Sequence, residues 1–467
     1  MKSPYIFWSA ICLFLISGCG STHQISSQQS DVEDRYLLTV SQDGAIHNRD
    51  NKNLTLKEKI DLLIQGVEVF LEKKQEALEH STEQKNKRIV LYIHGGLNDD
   101  DDSVKRAEES IEKMKDSNTH PIFITWRSGY LTTLGDHYFR IRHGETSELA
   151  PFTAPVYIAS DFFKTIGNIP MSWYREGYQI VTTNWLNNDQ EDIDQDVVNG
   201  IVDLTHDQRN RWNIFRRSVW LLTAPVKLLT TPAVFTLGGP AWNNMSRRTL
   251  TMFVSEDDLQ PEASRYSEGG ETEYNVSPSG AAHLFLKELN EFFKKARKKY
   301  PEFEVTIIGH SMGCMVANQA LLALPEFDVD NIVYMGSADR LQNYLNVTNI
   351  ISHYRQKESP NIYNLHLHPE NENREINVYG AAPSGSLLAW IDHSYGAPEY
   401  ILQRTSGRWS NMRKIVNLIP SEQRAKHHFK VFGRGSEGAS PQKHGDFDKP
   451  EFEFWEKTFW TGDQVTR

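Results

Sequence analysis

Three cysteines in 467 residues (Cys12, Cys19 and Cys314) are too few for a disulfide scaffold or a multi-cysteine zinc site. Basic charge is also scarce: 50 Lys and Arg against 61 Asp and Glu leave a net charge of −11 and a pI near 5.9. A whole-chain nucleic-acid binder needs a basic face, so that class is set aside, and the same sign argues against docking to anionic lipid by overall charge. No internal repeat of fixed period occurs, which sets aside solenoids and propellers. What is present is ordinary for a globular protein. Hydrophobic residues make up 39% and charged residues 24%, enough for a sizeable core. The length suits two or three average domains, or one large domain with insertions.

Met1 and Lys2 open the chain, an apolar run spans Ile6 to Ile16, and Ser17-Gly18-Cys19 closes it. The run is about half of what a membrane-spanning helix needs, so residues 1–18 read as a secretory signal. Ile16-Ser17-Gly18-Cys19 resembles a bacterial lipobox. That resemblance implies acylation of Cys19, attachment to the membrane through it, and a place in the cell envelope. Gly20, where an Asp would retain the protein, resembles the outer-membrane sorting class of Gram-negative hosts. With Cys12 lost alongside the signal, Cys314 is the sole free thiol. Residues 19–35 are polar and aperiodic, and read as a flexible tether.

Further along, strands and helices alternate. Thr55 and Glu58 form a T-x-x-E capping pattern ahead of Ile60, Leu63, Val67 and Leu71. Arg88 to Ile93 is a continuous apolar run that ends at His94-Gly95-Gly96, as a buried parallel strand does when it empties into a loop. A helical stretch including Val104 to Met114 leads to a second strand at Pro121 to Trp126. Downstream, Phe285, Leu289, Phe292 and Ala296 share a helix face. The strand Phe303 to Ile308, the helical stretch Met315 to Leu324, and strands at Asn331 to Met335, Ile362 to Leu367 and Phe429 to Phe432 follow. Pro450 to Trp460 reads as a C-terminal helix. The alternation predicts an α/β fold with a mostly parallel sheet flanked by helices.

The stretch 141–280 breaks this rhythm and is too long for a loop, which marks it as an inserted cap or lid. Val219 to Leu237 within it is strongly apolar, but Pro225, Pro232 and Lys227 argue against a lone spanning helix. Arg211, Arg216, Arg217, Arg247 and Arg248 flank it. The segment is thus either a buried cap or one that lies at a lipid headgroup boundary.

The chemistry centres on Gly309-His310-Ser311-Met312-Gly313. A serine on a sharp strand-to-helix turn needs neighbours without side chains, and Gly309 and Gly313 meet that need. The strand ending in His94-Gly95-Gly96, this elbow, and a late His444 together resemble the α/β-hydrolase superfamily of the lipase/esterase kind. The resemblance covers 88–140 and 280–460, dividing the core into 36–140 and 281–467 around the insertion. It implies Ser311 as nucleophile and an oxyanion hole from the backbone N–H groups of Met312 and Gly96. It also implies a histidine in the loop after the last strand. That position suits His444, with His393 next. The acid is placed after either of two strands, which leaves Asp339, or Glu372 or Glu370, as candidates.

Two further patterns carry less. Gly433 to Gly438 matches G-x-G-x-x-G but no helix follows it, so it reads as a loop. His366 and His368 face the same way on a strand with Glu370 beyond, but no further ligands accompany them, so no metal and no cofactor is implied. The sequence thus points to a lipid-anchored serine hydrolase of carboxylic esters acting on an acyl lipid or another hydrophobic ester, with protein partners unspecified. Acyl transfer by the same triad, or a non-catalytic envelope scaffold on this fold, are the alternatives.

Overall fold

The structure is a computed structural model. It describes residues 35–461 apart from 48–53, 74–86, 97–99, 115–116, 143–144, 185–188, 206–223, 255–279, 356–357, 376–384, 397 and 436–439. The signal, the lipobox and nearly all of the tether lie outside the described residues, as do Val219 to Thr223 and the end of the G-x-G-x-x-G pattern. Among the described residues, no helix is long and apolar enough to cross a membrane.

Apolar runs too short for helices and rich in β-branched residues form the sheet. Its strands are β1 (Leu37–Val40), β2 (Lys87–Ile93), β3 (Thr119–Trp126), β4 (Asp203–Thr205), β5 (Phe303–His310), β6 (Asn331–Met335), β7 (Asn361–Leu367) and β8 (His427–Phe432). They lie in the order β1-β3-β2-β5-β6-β7-β8-β4, and every pairing is parallel. β2 and β5 run side by side from Lys87↔Phe303 to Ile93↔Gly309, so the His94-Gly95-Gly96 loop and the elbow leave the same end of the sheet. β6, β7 and β8 stand next in order, so the loops that follow them leave that end too.

The sheet divides the core into two apolar layers. Val305 and Ile307 point into one, with Leu63 and Val67 of α1 (Leu56–Glu72) and Phe285, Leu289 and Phe293 of α7 (Ala281–Lys299). Ile308 and Val90 point into the other, with Val104, Ala107 and Ile111 of α2 (Asp100–Met114) and Phe447, Phe454, Trp455 and Trp460. Burying each such aliphatic side chain contributes about 1.5–3 kcal/mol, so the central strands are the most firmly held part of the molecule. The Thr55–Glu58 capping box forms as the sequence predicts, with Thr55 N donating to Glu58 Oε2 at 2.8 Å. On α7 the core face takes Phe293, and Phe292 is only half-buried.

Other expectations are corrected. β1 and β4, the two short edge strands, were not evident in the pattern. β4 comes from the inserted region, so that region also completes the main sheet. The C-terminal helix is broken into Pro450–Phe452 and Lys457–Trp460, because Glu453 is left-handed (φ 48°) and Phe454, Trp455 and Trp460 are buried at spacings no single helix face provides. Among the described residues, most of the rest of the stretch 141–280 is helical: α3 (Tyr130–Phe139) and a short antiparallel pair, Ile141–Arg142 with Glu145–Thr146, lead into α4 (Ala150–Asn184), α5 (Asp189–Val198) and α6 (Ala224–Thr251). Arg248 of α6, read as a possible headgroup contact, is instead buried against Asp136 and donates to Arg127 O and Thr133 Oγ1.

Candidate active site

β5 delivers Ser311 to the turn before α8 (Gly313–Ala323). Ser311 has φ 53°, a left-handed conformation that a residue with a side chain adopts only at a cost. Its N–H donates to Met335 O at 2.9 Å, and its carbonyl accepts from Ala338 N at 3.0 Å, so β6 and the loop after it hold the strained residue in place. The flanking glycines are steric requirements. A Cβ on Gly309 would lie 2.9 Å from Cys314 Cα, and one on Gly313 would overlap Ile93 O. Cys314, the described free thiol, is fully buried, and burial pushes its pKa up.

The loop after β2 passes against the elbow. A Cβ on Gly95 would meet Ser311 Cβ at 3.1 Å, and one on Gly96 would overlap Met312 Sδ. His94 shapes this loop. Trp126 N donates to its Nε2 (3.0 Å), which leaves the proton on Nδ1, and Nδ1 donates to Gly95 O (2.6 Å). No backbone hydrogen bond to a described residue uses the N–H of Gly96 or of Met312. The two expected oxyanion donors are therefore adjacent, with no backbone acceptor among the described residues.

His444 lies in a turn (His444–Asp446) beyond β8, and its Nε2 is 2.8 Å from Ser311 Oγ across 133 residues of chain. Both side chains are buried. Burial first, and then the neighbouring His310, lower the His444 pKa to about 3, with Asp448 opposing. The ring is thus neutral at pH 7, as a proton acceptor must be. With Ser311 Oγ–H donating to Nε2, the proton of His444 sits on Nδ1, and Nδ1 is buried with no hydrogen-bond partner among the described residues.

None of the three expected acids reaches that nitrogen. Asp339 is fully buried and held by Asn318 Nδ2 (2.6 Å), Asn343 Nδ2 (2.7 Å) and Arg340 N (2.8 Å). Glu372 accepts from Ser386 Oγ at 2.5 Å and lies 3.6 Å from Arg408, while burial pushes its pKa up to about 7. Glu370 pairs with Arg434 at 2.7 Å. Each is occupied by a partner that the sequence spacing does not reveal. His393 is likewise not joined to Ser311 by any hydrogen bond; its carbonyl lies 3.5 Å from Arg175 Nη1. His366 Nδ1 bonds Gly407 O at 2.9 Å, and His368 Nδ1 accepts from Glu370 N at 3.1 Å, so both histidines serve the backbone. No group of three or more His, Cys, Asp or Glu among the described residues is arranged to hold a metal ion.

Two carboxylates that the sequence did not single out stand closer. Glu375 Oε2 accepts from the backbone N of His444 at 2.8 Å. Asp448 is buried, lies 3.4 Å from His310 Nδ1, and accepts from Tyr92 Oη (3.2 Å) and Arg106 Nη1 (3.0 Å). Burial alone would raise its pKa, but His310, Arg106 and Tyr92 outweigh it and hold the carboxylate well below its usual range. His310 closes the set, with its Nε2 3.0 Å from His444 O. A signal for Glu375 does exist in the sequence: it follows β7 and keeps the chain order serine, acid, histidine.

Residues 264–341, which contain β5, the elbow and β6, match the model of a family described as alpha/beta hydrolase. No curated protein and no solved structure matches the chain. The eight-stranded parallel sheet, the strained serine between two sterically required glycines, and this match place the chain in the α/β-hydrolase superfamily.

Proposed function

We propose that this protein is a serine hydrolase of carboxylic esters, held at the cell envelope through an acylated Cys19 and acting on hydrophobic acyl substrates. The observation that carries the reading is the 2.8 Å approach of His444 Nε2 to Ser311 Oγ, with the serine locked in the left-handed conformation of a nucleophile elbow. In this mechanism Ser311 Oγ attacks the acyl carbonyl as its proton passes to His444 Nε2. The N–H groups of Gly96 and Met312 take the developing oxyanion. His444 then returns the proton to the leaving alcohol, and water, activated by the same nitrogen, releases the acid. Acyl transfer would differ only in the acceptor of the last step.

Glu375 is assigned the role of orienting acid. Its carboxylate already sits on the His444 main chain, and a neighbouring buried Nδ1–H has no acceptor among the described residues. Leaving such a donor unpaired costs about 1–3 kcal/mol, a cost that a shift of this carboxylate onto Nδ1 removes. Burial raises the Glu375 pKa, and its bond to His444 N opposes that.

A fluorophosphonate probe on the full chain in detergent micelles tests the reading. The parent should label, Ser311→Ala should not, and His444→Ala should label slower by roughly 10³-fold or more. Glu375→Gln should slow labelling on the order of 10²-fold, with Glu375→Asp recovering part of the rate. A folded parent that fails to label would favour the non-catalytic scaffold. Labelling at the parent rate in Glu375→Gln would remove Glu375 from the triad and leave the rest standing.

A further inference from the structure

His444 belongs to a turn in a loop, and a loop residue stays where its ties hold it. There is one such tie on each side of its Cα. Its N–H donates to Glu375 Oε2 at 2.8 Å, and its carbonyl accepts from His310 Nε2 at 3.0 Å. His310 adjoins Ser311 in the chain, so the second tie runs from the nucleophile's own neighbour to the base. Along the sequence Ser311 and His444 are 133 residues apart; through the His310 side chain a single residue joins them.

His310 ends β5 and is buried on the face of the sheet that Ile308 also occupies, beside Phe447. A carbonyl oxygen only accepts, so the contact with His444 O fixes a proton on Nε2. Nδ1 faces Asp448 Oδ2 at 3.4 Å. A half-turn of the ring would set C–H edges against both oxygens, so the two contacts together fix its orientation. Asp448 is itself held by Tyr92 Oη of β2 (3.2 Å) and Arg106 Nη1 of α2 (3.0 Å). The grip on His444 is thus anchored in elements of the core. The same ring supports the oxyanion loop, since a Cβ on Gly95 would lie 3.2 Å from His310 Nδ1 and 3.1 Å from Ser311 Cβ.

We propose that His310, braced by Asp448, is a positioning residue that sets the reach of His444 Nε2 to Ser311 Oγ and seats the Gly95-Gly96 loop beside them. His444 remains the base, and the work of His310 is placement. The proposal rests on the serine-hydrolase reading and gives a task to a position that the G-x-S-x-G pattern leaves open. A displacement of about 1 Å at a reacting group costs on the order of 10²-fold in rate, so the tie shows in the rate of the chemical step and not in affinity for the probe.

Fluorophosphonate labelling of the full chain at several probe concentrations separates the maximal rate from the half-saturating concentration. Two variants of equal side-chain length differ in the donor alone. His310→Gln sets an amide nitrogen near the place of Nε2, and His310→Met sets none. His310→Met should lower the maximal rate by roughly 10-fold or more, with the half-saturating concentration within about twofold of the parent's. His310→Gln should recover most of that loss, which a residue that only fills space would not do. A parent maximal rate in His310→Met, or equal rates in His310→Met and His310→Gln, overturns the proposal. Asp448→Asn leaves the elbow residues in place and should also lower the maximal rate. Combined with His310→Met it should add nothing, because both act through one contact. A parent maximal rate in folded Asp448→Asn overturns the proposal too, and that variant decides alone if His310→Met does not fold. A parent chain that fails to label removes the hydrolase reading and this proposal with it. A parent that labels beside an unslowed His310→Met removes this proposal only.

Discussion

Ser311 combines two properties that stability alone would not select: a left-handed backbone and a hydroxyl beneath the surface. A side chain in that conformation costs about 1–2 kcal/mol relative to glycine. Ser311→Gly should therefore raise the unfolding free energy by about 1 kcal/mol while abolishing probe labelling. Ser311→Ala should lose labelling without that gain. Thermal unfolding of the two variants side by side checks this, and equal melting temperatures would show that the turn is relaxed. At this scale much was legible in the sequence. Gly309, Ser311 and Gly313 follow from what a strand-to-helix turn requires, and His444 from the place that the α/β-hydrolase resemblance gives its histidine. The acid was not legible, because Asp339, Glu372 and Glu370 are each taken by Asn318, Ser386 or Arg434, partners fixed by packing far along the chain.

Among the elements, the sequence revealed the strands and helices of the core through period, and missed what period cannot show. β4 is three residues long and includes Asp203, too short and polar to stand out. The apolar stripe of α4 invites the reading of a buried face, yet the contacts put small and polar residues inward. Two adjacent glycines of α6 test how that helix is seated. A Cβ on Gly238 would overlap the ring of Tyr395, whereas Gly239 has open space around it. Gly239→Ala should stabilise by about 0.5–1 kcal/mol through helix propensity. Gly238→Ala should destabilise by roughly 1–3 kcal/mol through overpacking. Chemical denaturation gives both signs, and two stabilising substitutions would mean that α6 does not press on the 391–395 turn.

Taken as a whole, the molecule buries an unusual set of histidines. Burial lowers His120, His366 and His427 to about 4, and His393 and His444 to about 3, from an ordinary 6.5. Between about pH 6.5 and 4 the unfolded chain binds protons that the folded chain refuses, so stability falls as pH falls. Glu372, Asp339 and Glu375, raised by burial, act the other way, since the folded state retains protons that the unfolded state has shed. Five groups oppose three, and the melting temperature should drop by ~5 °C or more between pH 7 and 5. A flat or rising profile over that window would contradict the burial of these rings.

The sheet ends at one edge on four residues of β1 and at the other on three residues of β4. Short edge strands offer little ladder for a foreign chain to copy, which protects a protein from strand-by-strand aggregation. One of those two guards is lent by the inserted region. Excising residues 141–280 to simplify the protein would leave the longer β8 with an open row of N–H and C=O groups. The insertion thus also acts as a stopper on the sheet, and a trimmed chain would tend to grow into polymers whatever became of its serine.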